Sequence, residues 1–556
     1  MQSQAINLKE KHGLFSELWC PRVIAMKITS LFLSTLLLIF SHNSIADISR
    51  PMLLTPVEQC EKYGLVNDSG RLEDSINDVS LINKTAITCI IQPVTIEAVT
   101  AIVKWSNDWN VLNSNNQIGI SISGTKHSQG GHISNDGGIT LDLSLLNQVF
   151  KPIQNNGYWE VKVQTGALWN QVHDVIKQHH GLALANKIQQ SSTPFSVGGS
   201  LAVNAHGRNF SYGSMIHSIK SIRVVMPSGE LIEADRVINS NIFRLAIGGY
   251  GLFGVIVEAT LELVPNHRLT VNNKYFDSIE RYIAYISHEL RNVDRGEIIR
   301  GQTGEIVSES FSPISYLFAT VSLDQDNFLK GVNSYVYSHK NTIDNTGWVN
   351  LDPEPSLFNK AWFTKIGFGL KRKGYLVKTA QRFQHNFLLT QDSRLKILTP
   401  PIKPILAAAN LQEPDLLQEY FIPVNQVPAF IISLRQVFDN NEIILSNVSL
   451  RFVPKSIDRS ILSYVSETED QFAIVLYFST KVDDSSITEA AKWTQALVQQ
   501  AIDLGGRHYL PYQRWPTRKQ VESAYPMLQE FAEFKKHYDP QQTFTHRFYQ
   551  DYLENN

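Results

Sequence analysis

The sequence predicts an α+β fold, because short β-branched segments alternate with amphipathic helical segments from residue 85 to residue 265. A buried strand is indicated by the apolar segment ITCIIQP, and an amphipathic helix by the next segment, TIEAVTAIVKWSNDW. A second block, residues 267–500, contains strand-like segments such as NVSLRFVP and FAIVLYFST, and a helix at SITEAAKWTQALVQQAIDLGG. The 556 residues exceed the roughly 250–300 at which one hydrophobic core stops growing, so two domains are expected.

The first region contains further predicted elements in a regular order. Strands are predicted in IGISISG, GGITLDLS and WEVKVQTG, and a helix that ends at Gly181 is predicted in ALWNQVHDVIKQHHG. A hairpin is predicted in IKSIRVVMPSGELIEA, with its turn at residues 227–229. The last fifty residues are rich in Tyr, Phe, Trp and His, so we expect them to fold back onto the rest. The predicted domains are therefore residues 47–266 and 267–500, closed by the C-terminal segment 501–556.

The composition gives no indication of a polyanion-binding surface. The formal net charge is −2, and 18% of the residues are charged, while 43% are hydrophobic. A near-neutral chain of this kind does not attract phosphate backbones, so nucleic acid is not an expected partner.

The N-terminus has the features of a secretory signal peptide at residues 26–46. Met26-Lys27 precedes an apolar run, Ile28–Phe40, and Ser44 and Ala46 fit a small-residue cleavage site. Residues 1–25 would then be an extra or mis-called extension, and the mature protein would be periplasmic or secreted, or else held by an uncleaved anchor. In an exported chain Cys60 and Cys89 either form a disulfide or remain two separate thiols.

The segment GYGLFG, residues 249–254, matches the dinucleotide-binding pattern G-x-G-x-x-G. In a Rossmann unit this pattern follows a strand and opens a helix. Here NSNIFRLAIGG before it is helical, and VIVEATLELVP after it is strand-like. The order is reversed, so the glycines are expected to form a helix-to-strand turn.

Two other glycine-rich loops are candidate anion sites. The first contains residues 124–128 of GTKHSQGG, and the second contains Gly198, Gly199 and Ser200, after which a helix is predicted to begin. Two loops that offer backbone N–H groups suit a diphosphate. His127 and His132 lack a third ligand at regular spacing, so no metal site is predicted, and the absence of G-x-S-x-G argues against a serine hydrolase.

Four segments of the chain stand in a recognisable order. They are GTKHSQGG with GGITLDLSLLNQV, TPFSVGGSLAVNAHG with SYGS, NSNIFRLAIGGYGLFGVIVEATLELVP, and YDPQQTFTHRFYQDYL. Together they resemble the FAD-binding domain of the vanillyl-alcohol oxidase (PCMH-type) flavoprotein family, over residues 85–265 and 440–556. The closing part is similar to the aldonolactone, alditol and decaprenylphosphoryl-ribose oxidases.

The resemblance implies a PCMH-type two-subdomain FAD-binding fold, followed by a second α+β substrate (cap) domain over the isoalloxazine. It also implies a covalent bond from His127 to the flavin 8α-methyl, which is electrophilic because the ring system is electron-poor. The implied cofactor contacts are Gly124, Thr125, Lys126, His127, Ser128, Thr193, Gly198, Gly199, Ser200, Asn204, Gly207, Arg208, Val255, Val257 and His546.

The implied chemistry is oxidation of a substrate CH–OH group, with hydride transfer to flavin N5. Arg451 matches an arginine near the flavin in the polyol and lactone oxidases, where a fixed positive charge stabilises reduced flavin. Two positions depart from these relatives: Tyr512 stands where a lysine is expected, and Ser449 where alditol oxidases have a glutamate. Tyr512, His508 and Tyr509 are therefore the candidate bases or hydroxyl-orienting groups.

These departures leave several alternatives open. The substrate is expected to be a sugar-derived, lactone or polyol-like small molecule, and the electron acceptor is oxygen, a quinone or a protein. A chain that kept the fold but lost catalysis, and acts as a binding protein, is the alternative from another functional class.

Overall fold

The computed structural model describes most of the chain between Leu53 and Glu554. The described residues are 53–66, 70–181, 183–190, 194–294, 298–300, 306–309, 312–339, 382, 385, 386, 389, 393–398, 413–439, 441 and 443–554. The predicted extension 1–25, the predicted signal peptide 26–46 and Thr193 lie outside them. The described residues all belong to a compact unit that runs from Leu53 to Asn556.

The helices include most of those that the sequence spacing predicts. Thr95 caps the predicted helix after the first buried strand by accepting a hydrogen bond from the N–H of Ala98, and Gly181 ends a second predicted helix with φ +57°. The described α-helices are Pro56–Tyr63, Ile96–Leu112, Trp169–His180, Val197–Ala202, Ser240–Ala246, Ile279–Asn292, Arg394–Leu398, Val427–Asp439, Asp484–Asp503, Arg518–Ala524, Leu528–Tyr538 and Arg547–Tyr552.

The first region contains a parallel three-stranded sheet and an antiparallel six-stranded sheet. The parallel sheet has the order Cys89–Ile91, Ile139–Asp142, Ile120–Ser123. The antiparallel sheet has the order Leu231–Asp235, Ile219–Val225, Val255–Pro265, Tyr158–Gln164, Ile153–Asn155, and Leu184–Asn186 also pairs with Val255–Pro265. Helices together with parallel and antiparallel sheets confirm the predicted α+β class.

A disulfide joins Cys60 to Cys89, with 5.8 Å between the two Cα atoms. It connects the helix Pro56–Tyr63 to the first strand of the parallel sheet. Of the two alternatives for these cysteines, the structure contains the disulfide.

The GYGLFG segment is the helix-to-strand turn that the sequence predicts. The helix Ser240–Ala246 precedes it and the strand Val255–Pro265 follows it. Gly254 has φ +141°, and a Cβ at this position would lie 2.6 Å from the carbonyl oxygen of Val225. Only glycine allows the chain to enter the strand so close to its neighbour.

A seven-stranded antiparallel sheet forms the second part of the fold. Its order is Leu269–Phe276, Val332–His339, Ile314–Val321, Ile444–Val453, Gln471–Ser479, Asp415–Pro423, Arg507–His508. Alternate residues of these strands form an apolar core with the helices Ile279–Asn292, Val427–Asp439 and Asp484–Asp503. The opposite face, which we call the polar face, carries Arg451 and Glu419. Two-stranded pairs, Ser75–Ile76 with Thr85–Ala86 and Ile298–Arg300 with Ile306–Glu309, complete the strands.

The C-terminal segment folds back onto the first region, as its aromatic content predicts. Phe531 packs edge-on against Phe253, with 4.9 Å between ring centroids, and Tyr549 and Tyr552 are buried in the same core. The last helices therefore close the core beneath the six-stranded sheet rather than forming a tail.

Candidate active site

The structure brings the two glycine-rich loops together. A Cβ on Gly124 would lie 2.4 Å from Oγ of Ser196, the residue that caps the helix Val197–Ala202. The His127 ring contacts the Phe195 ring edge-on, at 4.5 Å between centroids. Loops that are seventy residues apart in the chain therefore form a single surface, and Gly124 is needed for their close approach.

The first loop, residues 124–128, has backbone N–H groups that donate to no acceptor among the described residues. Lys126 adopts the left-handed conformation with φ +59°, and its carbonyl accepts a hydrogen bond from Val79. None of the described backbone hydrogen bonds is donated by residues 124–128, which are half-buried. Consecutive N–H groups around a left-handed residue form a nest that binds anions.

The second loop differs from the sequence prediction. The helix begins at Val197, not after Ser200, because Ser196 caps it by accepting a hydrogen bond from Gly199. The N–H groups of its first turn donate within the protein: Val197 to Ala167, Gly198 to Thr165, and Ser200 to Ser196. The N–H groups of Gly198, Gly199 and Ser200 thus already have protein acceptors, and the contact of these residues with a diphosphate stays a prediction.

Gly198 and Ser200 have packing roles in this loop. A Cβ on Gly198 would lie 2.9 Å from the side chain of Thr165, and Ser200 Oγ accepts a hydrogen bond from Trp169 Nε1. Thr165 also donates its N–H to Val257, next to a register shift in the strand Val255–Pro265. The predicted contacts Val255 and Val257 thus lie on the strand that supports the second loop.

Asn204 and Gly207 continue this segment toward the second sheet. Asn204, in the left-handed conformation with φ +45°, accepts a hydrogen bond from Ile216 and donates one to Ser460. A Cβ on Gly207 would lie 2.4 Å from the Gln189 carbonyl oxygen. Both residues fix the path of the backbone through contacts with other parts of the protein.

His127 has an unused ring nitrogen. Its Nδ1 is buried and has no hydrogen-bond partner among the described residues. Burial lowers the pKa of His127 to about 4, and the backbone of Thr125 only partly opposes this effect, so the imidazole is neutral at physiological pH. A neutral imidazole carries the lone pair that a nucleophile requires.

The other histidines of this region have different environments. His132 is buried between Tyr250 and Phe548, at 5.1 and 4.9 Å between ring centroids. His546 uses both ring nitrogens: Nδ1 accepts from Tyr549 at the start of the last helix, and Nε2 lies 3.0 Å from the Tyr250 carbonyl oxygen. His546 therefore caps a helix in this structure.

The polar face of the seven-stranded sheet carries two rows of neighbouring residues. Arg451 pairs with Phe318 on one side and Ala473 on the other. The adjacent row runs from Ser449 through Val475 to Glu419. Glu419 thus lies two strands away from Ser449 in the same row. It supplies a carboxylate to this face, whereas Ser449 stands where the alditol oxidases have a glutamate.

Glu419 is the centre of a buried polar cluster. Its Oε1 lies 2.6 Å from His206 Nε2, and its Oε2 accepts a hydrogen bond from the Tyr512 hydroxyl at 3.4 Å. Burial opposes ionisation, but the nearby His206 and Arg451 outweigh it, so the pKa of Glu419 lies below its ordinary value. The cluster therefore holds an ionised carboxylate away from solvent.

The three predicted residues of the GGRHYLPYQ segment lie in different positions. The Tyr512 hydroxyl donates a hydrogen bond to Glu419. Because burial raises the pKa of Tyr512 well above its ordinary value, Tyr512 is a hydrogen-bond donor rather than a base. Tyr509 donates to the Val203 carbonyl and packs against Tyr512. His508 does not join the cluster: its ring packs against Tyr525, and burial lowers its pKa to about 3.

Gln129 connects the first loop to the Glu419 cluster. Its N–H donates to the Pro511 carbonyl, and its Oε1 accepts from the N–H of Leu417 at 2.9 Å and from Gln513 at 2.7 Å. The loop 124–128 is therefore fixed to the strand that carries Glu419 and to the segment that carries Tyr512.

Sequence reasoning missed Glu419, His206 and Gln129. One signal was available for Glu419, because a carboxylate within the apolar strand segment LLQEYFIP requires a buried partner. His206 stands inside a segment that carries the family resemblance, but nothing in its spacing points to Glu419, 213 residues away.

Comparison with known proteins identifies two parts of the chain. Residues 87–235 match the family model of an FAD binding domain, and residues 408–556 match that of D-arabinono-1,4-lactone oxidase. The chain carries a PCMH-type FAD-binding domain. The resemblance predicted from the four ordered segments is thus confirmed, and the loops at 124–128 and 196–202 lie within the FAD-binding domain.

Individual relatives are similar over parts of their length. D-arabinono-1,4-lactone oxidase of Yarrowia lipolytica is 30% identical over 179 residues, which is 32% of this chain and 32% of the relative. D-lactate dehydrogenase of Anaerostipes hadrus is 26% identical over 215 residues, 37% and 43% of the two chains. Decaprenylphosphoryl-β-D-ribose oxidase of Mycolicibacterium smegmatis is 28% identical over 149 residues, 26% and 31%. The matched stretch is less than half of each relative.

The residues of the FAD-binding domain fit the cofactor at two places. The N–H groups of residues 124–128 suit its diphosphate, and the buried, unpartnered Nδ1 of His127 suits its flavin ring. Among the residues that the structure describes, no three His, Cys, Asp or Glu side chains come together in a way that would hold a metal ion. Within the same ranges, each helix falls short of the length or apolar character of a membrane span.

Proposed function

We propose that this chain is an FAD-dependent oxidoreductase that oxidises a CH–OH group of a sugar-derived, lactone or polyol-like small molecule. The observation that carries the proposal is the ionised, buried Glu419, which Gln129 fixes next to the FAD-binding loop 124–128. FAD, when bound, supplies the acceptor for the two electrons and the hydrogen of the C–H bond.

The residues of the polar face have complementary tasks in this reaction. The Tyr512 hydroxyl orients the substrate hydroxyl, and Glu419 accepts the proton that this hydroxyl loses, because it is ionised and within one hydrogen bond of Tyr512. The His206 contact, 2.6 Å from Glu419 Oε1, keeps the carboxylate in place. Arg451 contributes a fixed positive charge on the same face.

The relatives support this class of substrate. By their names, two of them act on a sugar lactone and on D-lactate, and both compounds carry a secondary hydroxyl group. The electron acceptor of this chain is oxygen, a quinone or a protein. The Cys60–Cys89 disulfide supports a location in an oxidising compartment, in agreement with the predicted signal peptide.

The proposal is tested on the purified protein. It should be yellow, with flavin absorbance at about 450 nm, and anaerobic addition of a substrate from a panel of sugars, polyols, lactones and hydroxy acids should bleach this absorbance. Re-oxidation by air, or by a quinone or dye, then identifies the acceptor. A colourless protein that takes up no FAD would contradict the proposed function.

We also propose that the FAD is bound covalently through His127. The bond joins an imidazole nitrogen to the flavin 8α carbon, with loss of one methyl hydrogen as a proton and transfer of two electrons to the electron acceptor. The support is the neutral ring of His127 and its buried, unpartnered Nδ1. Acid precipitation should leave the yellow colour in the pellet, with a matching mass increase of the chain.

The control for the covalent bond compares two histidines. His127→Gln should release the flavin into the supernatant, whereas His179→Gln, a substitution at the exposed end of the helix Trp169–His180, should leave it bound. Flavin that stays in the pellet of the His127 variant would show that another residue forms the bond.

A further inference from the structure

Two arginines from different parts of the fold meet on the polar face of the seven-stranded sheet. The Arg208 guanidinium lies over the Phe318 ring, 4.3 Å from its centroid. Phe318 is the cross-strand neighbour of Arg451. The backbone holds this arrangement, because the carbonyl of Arg208 accepts the N–H of Leu317 at 3.2 Å.

Among the described residues, neither arginine forms a close ion pair with a carboxylate, although the charge of Arg451 helps to lower the pKa of Glu419. Among the described residues no ion pair of 4.0 Å or less involves Arg208 or Arg451, and Nε of Arg208 is buried without a hydrogen-bond partner. Glu419, the carboxylate on which the charge of Arg451 acts, already contacts His206 and Tyr512.

The two guanidinium groups repel each other. Burial, and next the positive charge of Arg451, lower the pKa of Arg208 to about 10. Arg208 nevertheless stays charged at neutral pH, so two interacting positive charges lie on one face, and Nε of Arg208 has no protein acceptor among the described residues. Such a pair is stabilised by an anion that bridges both groups.

We propose that Arg208 and Arg451 together bind an oxyanion of the substrate, a carboxylate or a phosphate ester. This inference rests on the proposed function and narrows its substrate class to negatively charged hydroxy compounds. Phe318 holds the Arg208 plane by stacking, so the guanidinium presents its N–H groups in a fixed orientation. The hydroxyl to be oxidised then lies toward Tyr512 and Glu419, and the anion anchors the other end.

Calorimetric titration of the purified protein tests the anion site without requiring turnover. The probes are malonate, its neutral analogue malonamide, and inorganic phosphate. Malonate or phosphate should bind at least about tenfold more tightly than malonamide, since charge-assisted bidentate contacts are the strong ones. The tighter of the two anions identifies the carboxylate or the phosphate as the preferred group.

Three variants assign the binding to the pair. Arg208→Gln and Arg451→Gln should each raise the Kd of the anion about tenfold or more, and Arg208→Lys, which keeps the charge, should restore part of the affinity. Arg281→Gln is the matched control, because Arg281 is exposed in the first turn of the helix Ile279–Asn292 and pairs with the exposed Asp277. Anaerobic bleaching should likewise be faster with gluconate than with sorbitol in the unsubstituted protein.

The outcomes separate this inference from the proposed function. A colourless protein that still binds malonate through Arg208 keeps the anion site and contradicts the flavoenzyme. A yellow protein that binds malonate and malonamide equally overturns the anion site. An Arg208→Gln variant with unchanged anion affinity but a lower flavin midpoint potential also overturns it, because Arg208 would then serve the reduced flavin.

Discussion

At the scale of single residues, the structure favours Glu419 as the base of the candidate site. The sequence offered Tyr512, His508 and Tyr509 as bases, but burial raises the pKa of both tyrosines and lowers that of His508. Glu419 alone combines an ionised form with a hydrogen bond to Tyr512. The assignment depends on His206 and Arg451, which offset the cost of burying a carboxylate.

Replacing Glu419 by Gln should slow anaerobic flavin bleaching by about 100-fold or more, the usual range for loss of a general base. The amide keeps the size of the side chain but does not accept the proton. In the unsubstituted protein the rate should fall as the pH decreases through the lowered pKa of Glu419, and the variant should lack this limb. Glu230→Gln, at an exposed hairpin position, is the control. An equal rate in the Glu419 variant would remove Glu419 from the reaction.

At the scale of elements, the surface that we propose for FAD is formed where two loops meet. The loop 124–128 supplies the free N–H groups, and the helix Val197–Ala202 supplies a wall whose donors are already used. Gly124 is essential to this contact, because a Cβ atom at this position would lie only 2.4 Å from Ser196 Oγ.

Gly124→Ala should therefore separate the loops and reduce the FAD content of the purified protein several-fold, measured as the ratio of absorbance at about 450 nm to that of the protein. The double variant Gly124→Ala with Ser196→Gly removes the colliding side chain and should recover most of the FAD. Glycine at the N-cap costs only a few tenths of a kcal/mol, so the helix itself should survive. Equal FAD loss in both variants would argue that the steric contact is irrelevant.

At the scale of the whole molecule, burial of neutral histidines should make the fold sensitive to acid. Burial lowers the pKa of His173 and His217 to about 4 and that of His508 and His546 to about 3. In the unfolded chain a histidine titrates at about 6.5, so the unfolded state binds more protons between this pH and the folded pKa.

The free energy of unfolding should therefore fall as the pH decreases below about 6.5, by up to about 1.4 kcal/mol per pH unit for each histidine. Urea unfolding at about pH 7, 6 and 5 measures this slope. His173→Gln should make the dependence of the unfolding free energy on pH shallower, by the amount that corresponds to about one proton. His179→Gln, at an exposed position, should not change this dependence. A stability that is constant over this range would contradict the burial of neutral imidazoles.

The sequence by itself determined the elements and the kind of domain. Strands such as Ile139–Asp142 and helices such as Ile96–Leu112 follow from local hydrophobic period, and the order of helix and strand around GYGLFG excluded a Rossmann site. The four ordered segments indicated the FAD-binding domain, since its glycines and histidine are adjacent in the chain. The sequence placed the start of this helix after Ser200, and the start at Val197 was missed because its first turn is held by hydrogen bonds to Thr165 and Ala167, which are remote in the chain.

Only the tertiary structure decided which groups share a site. His206 and Glu419 are 213 residues apart, and Arg208 lies in a loop after the helix Val197–Ala202 whereas Phe318 lies in the strand Ile314–Val321, so no local pattern relates them. The ionisation of Glu419 also depends on tertiary structure, because a carboxylate in an apolar strand is charged only if residues remote in the sequence place positive charge near it. The cofactor class was therefore determined by short segments of the sequence, whereas the charges that would select the substrate were determined by packing between remote strands.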